Sequence, residues 1–403
     1  MITVVKNILN IATLIVFLQS GSFLEKSSIQ NKQGEYFFLT LTTLLGMYLM
    51  ISSGHFLLFY IGLEMASIPL ATLIAMDKSC SKSAEAGGKF ILLSAFSTGI
   101  MLFGISYLYG STGTLYFADI SHLLFSGPLQ IMAMVFFVAG LFFKISLVPF
   151  HMWAADVYEG APTPITSYLS VVSKGAAVFA LMALLYKVFG NLTEQWQSIL
   201  YWLIIITITI GNLFALRQTN IKRFLAFSSI AQAGYLVLGV LAGTAYGMAT
   251  VVFYLLVYLF SNLAAFGVAG VVEKQSGTLE LSAYKGFYAT NPKLSFVMML
   301  AMFSLAGIAP FAGFFSKLFV FSAAADEGYY LLVLIAALNV IIGLYYYLRV
   351  VKAMFIDKGV EPVPAFSTDG WHRISLIICT VGVLLTGVIS ALFHVIEKFS
   401  FGI

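Results

Sequence analysis

Three lysines and one glutamate lie inside long apolar stretches of the sequence, where ionisable residues are uncommon. They are Lys144, Lys174, Lys317 and Glu64. A charge at the centre of a lipid bilayer costs roughly 2.5–3.5 kcal/mol on insertion scales, so such residues usually mark a functional site. Burial lowers the pKa of a lysine, and a nearby carboxylate raises it again. The combination predicts proton transfer, in which movement of Glu64 makes a lysine gain or release its proton.

Two non-catalytic roles stay open for these residues. A lysine near a helix end can extend its side chain to the lipid head groups. This role fits Lys187 better than Lys144 or Lys174, which have mostly apolar residues on both sides. For Lys317 it depends on the depth of that residue in its helix. Glu64 can also belong to a static ion pair that only fixes helix packing.

The composition predicts lipid as the solvent around these residues. Hydrophobic residues make up 60% of the 403-residue chain and charged residues only 9%, against about a quarter in an ordinary soluble domain. The two cysteines, Cys80 and Cys379, lie far apart, and we find no glycine-rich phosphate loop, His/Cys cluster or nucleophile triad. We therefore expect no cofactor or metal in this chain and, at a net charge of +4, no nucleic-acid partner.

Twelve apolar stretches are long enough to cross a membrane as helices, because about 20 residues span the hydrocarbon layer. Membrane β-barrels would instead show short segments of alternating polarity, whereas these stretches are continuous. We therefore predict an all-α polytopic membrane protein with about 12 transmembrane helices. The predicted spans are 2–20, 35–53, 56–77, 90–110, 129–152, 164–189, 198–216, 224–243, 248–272, 293–321, 329–354 and 373–396.

The basic residues between the spans predict the orientation of the chain. Loops that follow odd-numbered spans hold 15 lysines and arginines, whereas the other loops and both termini hold only 3. Basic residues concentrate in cytoplasmic loops of membrane proteins. We therefore expect the odd-numbered loops in the cytoplasm and both termini outside it.

Prolines predict two broken helices, near 145–150 and near 307–313. Pro149 follows Lys144 by five residues, and Gly307, Pro310 and Gly313 precede Lys317. Because proline removes a backbone donor, the freed groups need protein or water around them. The broken spans are five apart in order, which predicts two inverted five-helix repeats, with a working site at the breaks. The predicted units are an N-terminal helix and loop (1–34), the two repeats (35–189 and 198–354) and a C-terminal helix (373–403).

Polar residues around these spans have weaker interpretations. Four hydroxyl residues near Lys174 are candidates to hold water beside it: Thr163, Ser167, Ser170 and Ser173. Asp156 and Glu159 are placed in a cytoplasmic loop, where they either shape a proton entrance or cap the next helix. Lys222 and Arg223 are expected to anchor their helix at the membrane interface.

Four stretches of the chain resemble a known family. GLEMASIPL surrounds Glu64, FKISLVPFHMWAADVYEGAPTPITSYLSVVSKGA covers Lys144 and Lys174, IKRFLAFSSIAQAGYLVLG opens a later span, and LAGIAPFAGFFSKLFVF surrounds Lys317. They are similar to the antiporter-like subunit N family of proton-pumping NADH–quinone oxidoreductase (complex I, type I NADH dehydrogenase). The resemblance runs from about Gln33 to the C-terminus. Sister subunits L and M differ in the DVYEGAPTP segment, and M typically has glutamate where Lys317 stands.

The resemblance implies a fold of fourteen helices with two inverted five-helix units, so one N-terminal pair is missing through a naturally short chain or a late start codon. It implies that Glu64 and Lys144 form the first charge pair, Lys174 the central relay and Lys317 the exit-side residue. It also implies partner subunits that hold NADH, flavin, iron–sulfur clusters and quinone. Subunits M and K are the expected neighbours in a bacterial inner (plasma) membrane.

Two other functions share this kind of sequence. The chain can instead be a subunit of a multisubunit cation/proton antiporter or of a membrane-bound hydrogenase, neither of which involves NADH. It can also be a passive scaffold. The DVYEGAPTP segment favours the complex I subunit, and four charges within apolar spans argue against a scaffold.

Overall fold

The computed structural model describes residues 1–26, 29–359, 363–388 and 391–402. The regular elements of this part of the chain are helices. The principal helices are α1 (Ile2–Gln19), α2 (Gln33–Ser52), α3 (Phe56–Ile74), α4 (Ser81–Thr112), α5 (Pro128–Ile145), α6 (Met152–Gly160), α7 (Thr163–Lys187), α8 (Thr193–Leu216), α9 (Ile221–Leu241), α10 (Ala245–Ser276), α11 (Pro292–Ala306), α12 (Ala312–Asp326), α13 (Tyr330–Phe355), α14 (Gly370–Val388) and α15 (Ala391–Glu397).

The predicted all-α membrane fold is confirmed. Eleven helices within the described residues are long and apolar enough to cross a membrane. The predicted span 293–321 is instead divided between α11 and α12, each of 15 residues. The predicted span 129–152 ends early, with α5, and the chain resumes as the short helix α6. Together these elements account for about 12 crossings, two of which are interrupted.

Both interruptions occur at the predicted prolines and have the same backbone geometry. α5 ends before Ser146 and α11 ends before Gly307, and these two residues have left-handed backbones, with φ of 67° and 85°. The next amide then bonds back into the helix that has ended. Leu147 N donates to Phe142 O at 2.9 Å, and the matching bond after Gly307 measures 3.0 Å. Each break therefore caps the preceding helix before the proline redirects the chain.

A second contact pattern also occurs twice. His55 pairs with Tyr116 in a short antiparallel contact, and Asn220 pairs with Glu280 in the same way. The first contact ties the start of α3 to the segment after α4, and the second ties the start of α9 to the segment after α10. These repeated features support two units of five spans, α2–α7 and α8–α13. An odd number of spans places the second unit in the opposite orientation, and the exact boundaries 35–189 and 198–354 stay a prediction.

Three helices form the centre of the molecule. In the most apolar stretch of each helix, the share of residues buried inside the protein is 100% in α9, 94% in α7 and 89% in α10. In α8 it is only 39%. A helix that is apolar and buried on all sides has protein neighbours instead of lipid. The centre of the fold therefore lies where α7 of the first unit meets α9 and α10 of the second, and α7 carries Lys174.

Two sequence-based placements need comment. Asp156 and Glu159 lie in helix α6, whereas we expected a loop, because the break at Pro149 lets the chain begin a new helix at Met152. The predicted C-terminal helix 373–403 contains Ile389, Ser390 and Ile403, which lie outside the described residues. On either side of residues 389 and 390, α14 and α15 are helical as expected.

Candidate functional site

Lys144 is buried at the end of α5, two residues before the break, and is only 5% exposed. Its Nζ donates a hydrogen bond to the Ser67 hydroxyl on α3, and Ser67 in turn donates to Leu63 O at 2.6 Å. The same Nζ lies 5.9 Å from the centroid of the Phe90 ring. The direct acceptor of this ammonium group is therefore a neutral hydroxyl.

Glu64 lies one helical turn before Ser67, on the same side of α3. It is close enough to Lys144 for an electrostatic interaction, and the Tyr60 hydroxyl is its neighbour. However, among the described residues, Glu64 and Lys144 do not form an ion pair with a nitrogen–oxygen distance of 4.0 Å or less. The charge pair implied by the family resemblance is thus a neighbouring pair without direct contact, with Ser67 as the immediate partner of the lysine.

Lys174 lies in the middle of the central helices and is 2% exposed. Its Nζ donates to the carbonyl oxygen of Ser229 at 3.0 Å and to the hydroxyl of the same residue at 2.6 Å. Tyr258 donates to that hydroxyl at 3.0 Å, and Asn262 joins Tyr258 to Ser170 with bonds of 3.0 and 2.8 Å. Of the expected water-holding residues, Ser170 is therefore part of this hydrogen-bonded group.

The helix around Lys174 has an unusual local geometry. Residues Leu169–Ser173 form a π-helical segment inside α7. Such segments often occur at functional sites, because the extra residue leaves backbone groups and side chains out of their regular positions. Here the segment ends at the residue before Lys174, and the hydroxyl of Ser173 is buried without a hydrogen-bond partner among the described residues.

Lys317 lies on α12 just beyond the second break and is 6% exposed. Its Nζ donates to the carbonyl oxygens of Leu305 and Ala306 at 2.8 and 3.0 Å. These carbonyls are the last of α11, which the break leaves without helical partners. The Tyr235 ring centroid lies 5.2 Å from the same Nζ. The backbone groups freed by the break were expected to need protein or water around them, and here the Lys317 ammonium group is their partner.

Polar side chains connect the surroundings of Lys174 to those of Lys317. Gln232 lies one turn after Ser229 on α9 and donates at 3.0 Å to Leu305 O, the carbonyl that also accepts from Lys317. The Tyr254 hydroxyl bonds to the Gln232 oxygen. A small cavity lies between the two lysine sites and is lined in part by Tyr258, Gln232, Ser261, Ser304 and Lys317.

The interval between Lys144 and Lys174 is aromatic instead. The Phe90 and Trp153 rings are 5.3 Å apart, and the Trp153 and Tyr158 rings are 6.3 Å apart. Lys174 Nζ lies 5.9 Å from the Tyr158 ring, so the stack extends from one lysine to the other. The hydrogen bonds of Lys144 among the described residues end on α3.

An open pocket of about 440 Å³ lies at the loop end of the central helices. Lys222 lines it and is 2% exposed, so this lysine packs against protein, and its predicted position at the membrane interface stays a prediction. Its Nζ donates to Ala161 O at 3.0 Å and lies 3.4 Å from the Glu273 carboxylate, which also accepts from Thr163. The segment between α6 and α7 supplies Ala161 and lines the pocket beside Lys222.

Ion pairs hold α6 against its neighbours beside this pocket. Arg223 contacts Asp156 at 2.8 Å and Glu159 at 2.9 Å. Lys89 and Lys82 on α4 complete the cluster, with contacts of 2.6 Å to Asp156 and 2.9 Å to Glu159. The cluster joins the half-helix after the first break to the second five-helix unit through α9.

Comparison with known proteins decides the family. Residues 53–343 match the family model described as "NADH:quinone oxidoreductase/Mrp antiporter, TM". NADH-quinone oxidoreductase subunit N of Phocaeicola vulgatus is 57% identical over 98% of this chain and 84% of its own length. The chain belongs to the NADH–quinone oxidoreductase subunit N family. Another subunit N, from Azobacteroides pseudotrichonymphae, is also 57% identical, over 99% of this chain and 83% of its own length.

A solved structure agrees with this membership in the subunit N family. A chain of respiratory complex I from Thermus thermophilus with bound aureothin is 32% identical, has a TM-score of 0.80, and aligns over 96% of this chain and 84% of its own. The chain is thus a multi-span membrane subunit of a respiratory complex. In the described part of the chain, no group of three or more metal-ligating side chains is present.

Proposed function

We propose that this chain, as subunit N of NADH–quinone oxidoreductase, carries protons across the membrane through Lys144, Lys174 and Lys317. The observation that carries this proposal is that all three lysines are at most 6% exposed and bond to neutral oxygens. A lysine without a direct carboxylate partner loses its charge more easily than a paired one, because no ion pair holds the proton. Such a side chain can alternate between ammonium and amine.

The transfer from Lys174 to Lys317 uses the polar groups between them. Tyr258 and Gln232 line the cavity beside Lys317, whose volume of about 10 Å³ has room for about one water molecule. Ser229 bonds to Tyr258 on the Lys174 side. When Lys317 becomes neutral, the carbonyl oxygens of Leu305 and Ala306 face an uncharged amine, which is a weaker donor than an ammonium group. Water that enters the break can then donate to these carbonyls and bring the next proton.

Glu64 controls the first lysine by distance. Because no direct ion pair joins them in this structure, movement of Glu64 toward Lys144 would stabilise the ammonium form, and movement away would release its proton. Ser67 holds Lys144 on the Glu64 side of α3, so it acts as a positioning residue. Passage onward to Lys174 requires water among Phe90, Trp153 and Tyr158, since these rings offer no continuous chain of hydrogen bonds.

The pocket beside Lys222 is the proposed proton entrance. At its loop rim, burial alone would raise the pKa of Asp77, but hydrogen bonds from Ser79 and Lys26 hold it below its ordinary value. The side chain therefore stays charged at neutral pH and keeps the rim hydrated. From Thr163 at the base, polar residues follow one side of α7 through Ser170 to Lys174.

Partner subunits supply the redox chemistry in this proposal. NADH, flavin, iron–sulfur clusters and quinone belong to other chains of the complex, and subunits M and K are the proposed membrane neighbours. The complex lies in the bacterial inner membrane, and both termini of this chain lie outside the cytoplasm. A static scaffold would not need three buried lysines with neutral acceptors.

Replacement of the first pair tests the proposed transfer. We expect Glu64→Gln and Lys144→Ala each to lower proton pumping and coupled NADH oxidation by roughly ten-fold or more while the complex assembles, because each removes a group that must change its charge or its distance. Ser67→Ala should lower pumping less and shift its pH profile, because the lysine loses its acceptor. Pumping is measured in inverted vesicles with a fluorescent pH probe. Glu35→Gln, at an exposed position, is the control, and normal pumping by both Glu64→Gln and Lys144→Ala would leave only a static role.

The orientation has its own test. A reporter fused after Ile403 should be active outside the cytoplasm, and a reporter inserted near Lys285 should be active inside. The reason is that 15 of the 18 basic residues other than Lys144, Lys174 and Lys317 lie in the odd-numbered loops. The measurement is the ratio of alkaline phosphatase to green fluorescent protein activity at each site. Equal ratios at the two positions would contradict the number of crossings and the inverted repeat.

A further inference from the structure

A groove between α11 and α14 lies outside the proposed proton path. Its volume is about 820 Å³, and its walls are residues of these two helices together with the segment before α14. The apolar side chains of Phe296, Ile377 and Val381 line it and are 49%, 52% and 45% exposed. The groove is thus a surface of apolar side chains that no described part of the chain covers.

Two cations lie at the mouth of this groove. Lys293 stands one residue after the start of α11, and Arg373 stands in the first turn of α14. Both are exposed and line the groove, and among the described residues neither side chain makes an ion pair or a hydrogen bond. The lining residues of the described chain include no carboxylate. The mouth therefore carries two positive charges without a counter-charge.

The rim beside these cations is fixed in place. Asn291 is buried, and its amide donates to Pro364 O at 3.1 Å while its oxygen accepts from Phe366 N at 3.3 Å. These bonds tie the segment before α14 to the start of α11. Ser367 and Thr368 follow on this segment and line the groove with hydroxyl groups. The groove is therefore a preformed site with donors at one end and apolar walls below.

We propose that this groove binds an anionic phospholipid, with its phosphate between Lys293 and Arg373 and its acyl chains along α11 and α14. From Arg373 to Val381 the helix descends roughly 12 Å, so the apolar walls extend below the cations by about the depth that acyl chains would follow. Both cations belong to loops on the proposed cytoplasmic side, where basic pockets between transmembrane helices bind anionic head groups. The phosphate supplies the negative charge that the two cations lack, and the acyl chains match the apolar walls below them.

The test uses the intact complex and a phosphatidylglycerol that carries a photoreactive diazirine on one acyl chain. The complex is placed in nanodiscs of phosphatidylcholine with increasing amounts of this probe, and labelled peptides of α11 and α14 are quantified by mass spectrometry. We expect the half-saturating probe content to rise roughly thirty-fold in the double variant Lys293→Ala, Arg373→Ala, at about ten-fold per 1.4 kcal/mol and about 1 kcal/mol per basic residue. The control, Lys285→Ala with Lys358→Ala, removes two exposed cations outside the groove and should label as the parent does.

Three further arms distinguish a specific phospholipid site from general lipid contact and from a free phosphate site. Val381→Trp keeps both cations but fills the groove, and it should also reduce labelling. Unlabelled phosphatidylglycerol should compete, whereas additional phosphatidylcholine should not. Inorganic phosphate at millimolar concentration should leave labelling unchanged. Equal labelling of parent and double variant would overturn the proposal in favour of general lipid contact, and displacement by inorganic phosphate would overturn it in favour of a free phosphate site.

Discussion

Lys317→Arg and Lys174→Arg should assemble into the complex but pump protons poorly. Arginine keeps the positive charge, but its pKa stays above about 12 in proteins, so it does not release a proton at working pH. If the lysines relay protons, we expect pumping to fall by at least roughly ten-fold, since a positioned proton-transfer group contributes 10²–10⁴ in rate. Membrane potential in vesicles is the measurement, and the artificial-acceptor activity of the NADH dehydrogenase portion confirms assembly.

Matched variants separate proton release from size. Lys174→Met has a side chain of similar length without charge and should fail in the same assay. Lys187→Arg, at an exposed position in the same helix, should pump at the parental rate. Full pumping by Lys317→Arg would show that this residue never needs to be neutral, and the relay would be wrong at that position.

Gly313→Ala should disrupt the second break and with it the assembled complex. A methyl group at Gly313 would overlap the carbonyl oxygen of Ser304 on α11. Overpacking in a tight site costs typically 1–3 kcal/mol, and a backbone atom cannot turn aside as a side chain can. Displacement of Ser304 would also move the next two carbonyls, Leu305 and Ala306, which hold Lys317. We expect a lower melting temperature of the purified complex and loss of pumping in the fraction that assembles.

Gly99→Ala is the matched control for this variant. It lies inside α4, and a methyl group there would contact nothing within 4 Å. Alanine in a helix interior is more favourable than glycine by roughly 0.5–1 kcal/mol, so this protein should be as stable as its parent or slightly more stable. A Gly313→Ala complex with parental melting temperature and pumping would show that the break tolerates a shift of α12.

The positions that sequence analysis could predict are those where a residue type conflicts with its surroundings. A lysine in an apolar run is costly, so Lys144, Lys174 and Lys317 stand out without any structure, and the structure buries all three. Proline conflicts with a continuous helix in the same way, which located both breaks near Pro149 and Pro310. The orientation inferred from the basic loops also depends only on where charged residues stand, and it stays a prediction.

The direct partners of the lysines could not be predicted, because serine is compatible with both buried and exposed helix faces. Ser67 and Ser229 accept the lysine hydrogen bonds, yet neither conflicts with its apolar span. A weak signal was present: Ser67 follows Glu64 by one turn, and Gln232 follows Ser229 by one turn, so each pair shares a helix face. The burial of Lys222 against Ala161 could not be predicted either, because it depends on tertiary packing between distant segments.

The aromatic interval between Lys144 and Lys174 has a consequence for energy conservation. A protein that moves ions must also prevent their spontaneous return down the electrical gradient. The rings of Phe90, Trp153 and Tyr158 offer no chain of hydrogen bonds between Lys144 and Lys174, whereas polar side chains such as Gln232 lie between Lys174 and Lys317. If the lysines relay protons as proposed, back-transfer from Lys174 to Lys144 is resisted in this short aromatic stretch, because the stretch must take up water before a proton can cross it.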